Sequence, residues 1–304
     1  MTGPTVVAAG SRYPGGAIIV VSSFLAWLEF LGAFLAGGAI GFRYFVLRRA
    51  ASLDGEAHAP VYADAGQRAA LLGLAGAVLG LVHVGTALPK LAERFHTTVV
   101  GAVTGNFVPG AWVALSLLAL AGFSLAAMRQ PVGWPLAAIG VVAGTLREAM
   151  VGNWIRLINP IHLLAGSFWI GTLLVMMIAG LGGISRSTQP IDRRTMVVNM
   201  FNAFTPLALV SAAVLAVFGV TTAWRHLKRF DALFTTPYGW TLIAKLCFVV
   251  MIVALGAWNW RRQRPQLGTD AGVDSIRRSA TAELLVAGVV LALTAVLVSL
   301  PSPK

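Results

Sequence analysis

Eight long apolar runs constrain this chain more than any other feature of its sequence. A helix needs about 20 apolar residues to cross a bilayer core of about 30 Å. The runs are continuous rather than alternating, which favours helices over the strands of a membrane barrel. The sequence therefore predicts an all-α fold, a polytopic transmembrane helix bundle of about eight helices. The predicted spans are Ala17–Tyr44, Ala69–Leu88, Val108–Met128, Trp134–Gly152, Ile161–Leu181, Phe204–Trp224, Trp240–Trp260 and Ala280–Leu300.

The charged residues lie mainly between these runs and carry the topology signal. They make up 11% of a chain whose net charge is +12. No block of Lys and Arg is interleaved with aromatic residues, so we predict no nucleic-acid partner and take the lipid bilayer as the surroundings. The odd-numbered loops hold more Lys and Arg than the even-numbered loops and the termini. The positive-inside rule then predicts a multi-pass protein with both termini outside.

Ionisable and amide side chains within the spans are costly to bury in lipid and are therefore candidates for function. The acidic and basic members can neutralise one another, support a proton or cation path, or snorkel toward the headgroups. The candidates are Glu29, His83, Glu148, His162, Lys245 and Glu283, with Asn202 and Asn259.

His162 opens the fifth span, where α-helical steps of four, three and seven residues place His162, Gly166, Trp169 and Met176 on one face. Imidazole and thioether groups ligate copper ions well, so this stripe predicts a path for a soft metal. An ordinary packing face with a histidine near the headgroups explains the same pattern.

His83 lies toward the same outer side as His162 under this topology. Two histidines at similar depth can share one ligand, either a copper ion or the iron of a b-type haem. A hydrogen-bonded core histidine is the alternative interpretation.

Sulfur-bearing side chains add further candidate copper ligands. Cys247 and Met251 are four residues apart on the seventh span, and Met196 and Met200 have the same spacing before the sixth. Sulfur suits Cu(I), although methionine is also a common packing residue in apolar helices. The predicted metal ligands are His162, His83, Met150, Met176, Cys247 and Met251.

Five stretches of the second half follow one another in a characteristic order. They are HLLAGSFWIGTL, GVTTAWRHL, TPYGWTLIAKL, GAWNWRR and IRRSATAELLVAGVVLALTAVLVSLPSP. Together they resemble the membrane domain of the copper resistance protein D (CopD) family from about Pro160 to Pro301. The first four spans match only in hydropathy. We therefore predict an N-terminal four-helix transmembrane half, residues 1–152, and a CopD-like four-helix half, residues 153–304.

The resemblance implies copper handling at the bacterial inner membrane, with copper received from a periplasmic carrier and both termini periplasmic. In one departure, family members carry an Arg-Phe pair at the start of the sixth span, where this chain has Met200, Phe201 and Asn202. Some members also carry a soluble CopC-type domain, so a separate CopC-type carrier is an expected partner. The family-like positions are His162, Trp169, Tyr238, Lys245, Asn259 and Glu283. The predicted supporting residues are Glu29, Trp169, Lys245, Asn259 and Glu283.

Three functions stay open at this point. The first is copper ion transport for copper homeostasis or resistance, with copper as the bound species. The second is an accessory membrane subunit for the assembly of a copper enzyme. The third is a membrane cytochrome with haem b held between two histidines. The chain has no hydrolytic constellation, phosphate-binding glycine loop or ATPase motif, so we predict that it is not an enzyme.

Overall fold

The computed structural model describes residues 16–152, 154–182, 190–227, 229–263 and 270–300. Within these ranges every regular element is a helix and no strand occurs. Eight helices are long and apolar enough to cross a membrane, which confirms the predicted all-α bundle and its number of spans. They are α1 (Ile19–Asp54), α2 (Ala59–Arg94), α3 (Phe107–Ala127), α4 (Gly133–Val151), α5 (Ile155–Leu181), α6 (Arg193–Leu227), α7 (Pro237–Trp258) and α8 (Arg277–Ser299).

Several helices extend well beyond the predicted apolar runs. α1 and α2 each have 36 residues, although about 20 suffice to cross a bilayer. The segment Arg48–Arg68, predicted to be a connection, is helical apart from Gly55. Its alanine-rich sequence sustains helix outside the apolar run. Gly55 ends α1 with a φ of 75°, which glycine adopts without strain.

α5 is the helix around which the bundle is built. Its most apolar stretch is 56% buried, whereas the corresponding stretch of every other span is at most 28% buried. Ser167–Gly171 and Met176–Leu181 are π-helical, and α1 has a third such stretch at Phe42–Leu47. A π-helix has more residues per turn than an α-helix. The α-helical spacing that predicted one straight stripe from His162 to Met176 therefore does not hold through α5.

α1 packs directly against α5 through small residues. A Cβ placed on Gly38 would lie 2.2 Å from the backbone of Gly171. The Thr172 hydroxyl donates a hydrogen bond to the Gly38 carbonyl at 3.4 Å. Small residues let the backbones of membrane helices approach closely. α1 also contacts α2 and α8, so the first helix touches helices of both predicted halves.

The alternating direction of the spans gives the bundle two distinct ends. The end where α1 and α3 finish holds Arg43, Arg48, Arg49 and Arg129 and is called the arginine end. Here Asp54 accepts hydrogen bonds from the Tyr62 hydroxyl and the Asn199 amide, which ties α1 to α2 and α6. The other end, called the histidine end, is the one nearer to His83, His162 and His226. The positive-inside rule predicts that the arginine end is the inner one.

Candidate functional site

His162 lies near the histidine end of α5 and faces α6. A Cβ placed on Gly219 would be 3.1 Å from the ring carbon Cε1, so the imidazole fits against a position without a side chain. Its Nδ1 atom is buried and has no hydrogen-bond partner among the described residues. The Leu215 backbone also lies close to the ring but does not satisfy Nδ1. In the tautomer that carries its proton on Nε2, this buried Nδ1 has a free lone pair and can act as a ligand.

Further polar groups of α5, α6 and α7 surround this end of the bundle. The Thr222 hydroxyl donates to Asn159 Oδ1 at 3.1 Å, and the His226 ring stacks on Tyr238 with centroids 6.2 Å apart. Lys245 of α7 is within electrostatic reach of His162. His226, which the sequence places at a helix end and which we predicted to be solvated, is half-buried. Its aromatic partner lies on a different helix, so no local pattern indicated the stack.

His83 belongs to a second polar group, formed by α1 and α2. Its Nε2 atom is 3.4 Å from Glu29 Oε2, and both side chains are half-buried. Its ring also contacts Trp112 of α3, with centroids 5.3 Å apart. His83, beside Glu29 and Trp112, and His162, against Gly219, belong to two different polar groups. A haem held between these two histidines therefore gains no support.

Arg147 completes this second group, although it was not among the predicted site residues. The α-helix of Gly133–Leu146 gives way to a 3-10 helix at Arg147. The guanidinium carbon lies 4.2 Å from the centre of the Trp112 ring, and Nη2 is 3.7 Å from Glu148 Oε1. Arg147 is also within electrostatic reach of Glu29 and His83. Its charge offsets that of Glu29, which makes this group a poor site for a cation.

Replacing Arg147 with Met should lower the free energy of unfolding by about 2 kcal/mol. Loss of one partner from a fully buried ion pair costs about 3–5 kcal/mol. The effect is smaller here because no direct ion pair joins Arg147 to Glu29 among the described residues and Glu29 is 36% exposed. Chemical unfolding in detergent micelles measures the change. Adding Glu29→Gln to Arg147→Met should recover part of the loss. The exposed Arg129–Asp64 pair is the control, and Arg129→Met should cost at most about 1 kcal/mol. Equal losses for the two single variants would contradict the prediction.

Three buried methionines, together called the thioether cluster, lie in the core toward the arginine end. Met176, Met196 and Met200 are all fully buried in the same hydrophobic core. A Cβ placed on Gly180 would lie 3.1 Å from Met200 Sδ and 3.0 Å from the Phe42 ring, so the Met200 sulfur packs one turn from Met176. The same core therefore holds the predicted ligand Met176 and the predicted pair before the sixth span.

The other predicted sulfur ligands point away from this core. Met150 and Met251 are 53% and 44% exposed, and Cys247 is exposed as well. Trp169 is half-buried and packs against the core that holds Met176. Glu283 is half-buried on α8, and the side chain of Asn259 lies outside the described residues.

The described residues hold no group of three or more His, Cys, Asp and Glu side chains that could bind a metal ion. The available donors are imidazole and thioether groups, with the hydroxyls of Ser167 and Thr172 between them on α5. Such a set suits a soft ion that is held weakly and released.

The second half of the chain is similar to known proteins. Residues 198–297 match the copper resistance protein D family. The match includes Met200, Gly219, Lys245 and Glu283 but not α5. The chain is also 29% identical over 161 residues to copper transport protein CutJ of Bacillus subtilis strain 168. That alignment covers 53% of this chain and 27% of the relative, so the chain spans about a quarter of the relative's length.

No solved structure matches the chain. The family match covers most of α6, all of α7 and most of α8. Four of the five family-like stretches lie in this part of the chain. The eight apolar helices agree with a membrane domain. Residues 198–297 are therefore similar to the copper resistance protein D family, within a chain whose eight apolar helices are those of a multi-pass membrane protein.

Proposed function

We propose that this chain carries copper ions across the bacterial inner membrane along α5 and α6. The main support is the distribution of buried polar side chains. Among the described residues these are Ser167, Thr172 and Ser211, and all three lie on α5 or α6. His162 stands at one end of this helix pair and the thioether cluster at the other. Groups able to contact a soft cation therefore recur along one part of the bundle.

The chemistry of the donors suits passage rather than storage. His162 and Met176 are 14 residues apart, about 20 Å along the helix axis. Imidazole binds copper in either oxidation state, whereas the thioethers of Met176, Met196 and Met200 favour Cu(I). Conduction requires sites that bind strongly enough for entry and weakly enough for release. One imidazole followed by hydroxyls and thioethers meets that requirement.

The direction follows from the predicted topology, with copper entering at the histidine end from the periplasm. A separate CopC-type carrier would deliver the ion near His226 and Tyr238. The relative's name, copper transport protein, supports a transporter over an enzyme. An accessory subunit for copper-enzyme assembly is the alternative, and it would need its partner in order to act.

Reconstitution of the purified chain into vesicles tests this function. Vesicles loaded with a Cu(I)-chelating dye should develop the dye's copper signal when copper and ascorbate are added outside. Protein-free vesicles, and protein vesicles given Zn²⁺ with a zinc dye, are the controls. A signal no faster than in protein-free vesicles, from protein that is helical by circular dichroism, would contradict transport and favour the accessory role.

A further inference from the structure

A groove on the surface of the arginine end separates the last turns of α1 from α6. It has a volume of about 450 Å³ and is lined on the α1 side by Tyr44, Phe45, Arg48, Arg49 and Ser52. Ala203, Pro206 and Leu207 line the α6 side. The groove is separate from the thioether cluster and from both histidine groups, and the proposed transport path does not use it.

Two irregular helix segments border this groove. The π-helical stretch Phe42–Leu47 supplies Tyr44 and Phe45, and Pro206 lies inside α6. Proline has no backbone N–H and its ring displaces the preceding turn, so it disturbs regular packing of the helix beside it. Irregular segments of both helices therefore lie beside the gap.

The walls of the groove divide into a basic part and an apolar part. Arg48, Arg49 and Ser52 lie toward the end of α1, and Phe45 lies one turn deeper, with Leu207 across the groove. Phe45 is 49% exposed. Phe45 and Ser52 are seven residues apart, or about 10 Å along the helix. This spacing fits a charged headgroup at the basic part and the start of an acyl chain at the apolar part.

Arg48 and Arg49 have no ion-pair partner among the described residues, and both are exposed. In contrast, Arg129 at the same end contacts Asp64 and Gln67. Both guanidinium groups are therefore available to pair with an anion from outside the described residues. Arginine binds phosphate through paired N–H donors, and basic pockets between membrane helices bind anionic lipid headgroups.

We propose that this groove is a binding site for one anionic phospholipid. The phosphodiester lies between Arg48 and Arg49, and an acyl chain runs along Phe45 and Leu207. The two arginines favour a negatively charged headgroup. The apolar wall favours a ligand with an acyl chain over a free anion.

Lipid retention by the full chain tests the proposal. Protein in nanodiscs of equal parts phosphatidylglycerol and phosphatidylcholine is released in the mass spectrometer, and the lipids that stay bound are counted. Wild-type protein should retain phosphatidylglycerol over phosphatidylcholine by about tenfold. The Arg48→Gln/Arg49→Gln variant should lose this preference, and Arg48→Lys/Arg49→Lys should keep part of it.

The matched control, Arg68→Gln/Arg129→Gln, removes two charges from the same end and should retain the wild-type preference. Equal retention of the two lipids by wild-type protein would overturn the proposal, and so would an equal loss in the control variant. A second arm measures thermal unfolding in detergent with added phosphatidylglycerol or inorganic phosphate. Stabilisation by phosphatidylglycerol alone supports a lipid site, whereas equal stabilisation by inorganic phosphate overturns it in favour of a free-anion site.

Discussion

His162→Ala should lower the initial rate of copper uptake by reconstituted vesicles by about tenfold, equivalent to about 1.4 kcal/mol. The substitution removes the only imidazole that α5 contributes and leaves the space against Gly219 empty. A copper ion entering at the histidine end then loses its first strong donor. The dye signal in vesicles that contain equal amounts of protein gives the rate directly.

Two further variants test whether His162 acts as a copper ligand or only as a packing residue. His162→Met supplies a thioether in place of the imidazole and should retain more uptake than His162→Ala. His58→Ala is the control, since His58 lies at the arginine end and contacts the Asp54 carbonyl. Uptake by His162→Ala at the wild-type rate, with an unchanged melting temperature, would remove His162 from the path.

Gly38→Ala should destabilise the bundle by about 3 kcal/mol or more. The added Cβ would lie 2.2 Å from the Gly171 backbone, and backbone cannot move aside as the end of a flexible side chain can. Overpacking of a tight contact typically costs about 1–3 kcal/mol, and this contact lies against the most buried helix. The midpoint of thermal unfolding in detergent and the yield of monodisperse protein measure the loss.

Gly80→Ala is the matched control for this effect. Gly80 lies on α2, and a Cβ placed there meets no atom within 4 Å. Alanine is the better helix former by about 0.5–1 kcal/mol, so this variant should be neutral or slightly more stable. Two variants with the same melting temperature would show that close approach of α1 and α5 does not limit stability.

The number of spans was predictable because hydropathy is a local property of the sequence. Helix length was not, because the alanine-rich segment after Arg48 forms helix without being apolar. The sequence also indicated His162 and Met176 as candidate ligands. The π-helical turn between them changes the rotation per residue, so the two side chains need not lie on one face. No residue pattern in α5 marks such turns in advance. One of them, Ser167–Gly171, lies where α5 packs against α1.

Pairing between helices was the least predictable feature. Glu29, His83 and Arg147 lie far apart in sequence, and their meeting depends on how α1, α2 and α4 are rotated. The same dependence explains why Cys247 and Met251, equally spaced with Met196 and Met200, are exposed. A spacing of four residues defines a helix face, but only packing decides whether that face is inside.

The position of α1 has a consequence for how the bundle is made. This helix is synthesised before α5 and α8, yet its Gly38 face is covered by α5 and another of its faces contacts α8. During synthesis these surfaces must remain in lipid, or against the insertion machinery, until α5 and α8 have been translated. Assembly therefore cannot proceed as two halves that fold one after the other. A chain that stalls after α4 would present an unfilled glycine groove to its surroundings and should be a substrate for membrane proteases.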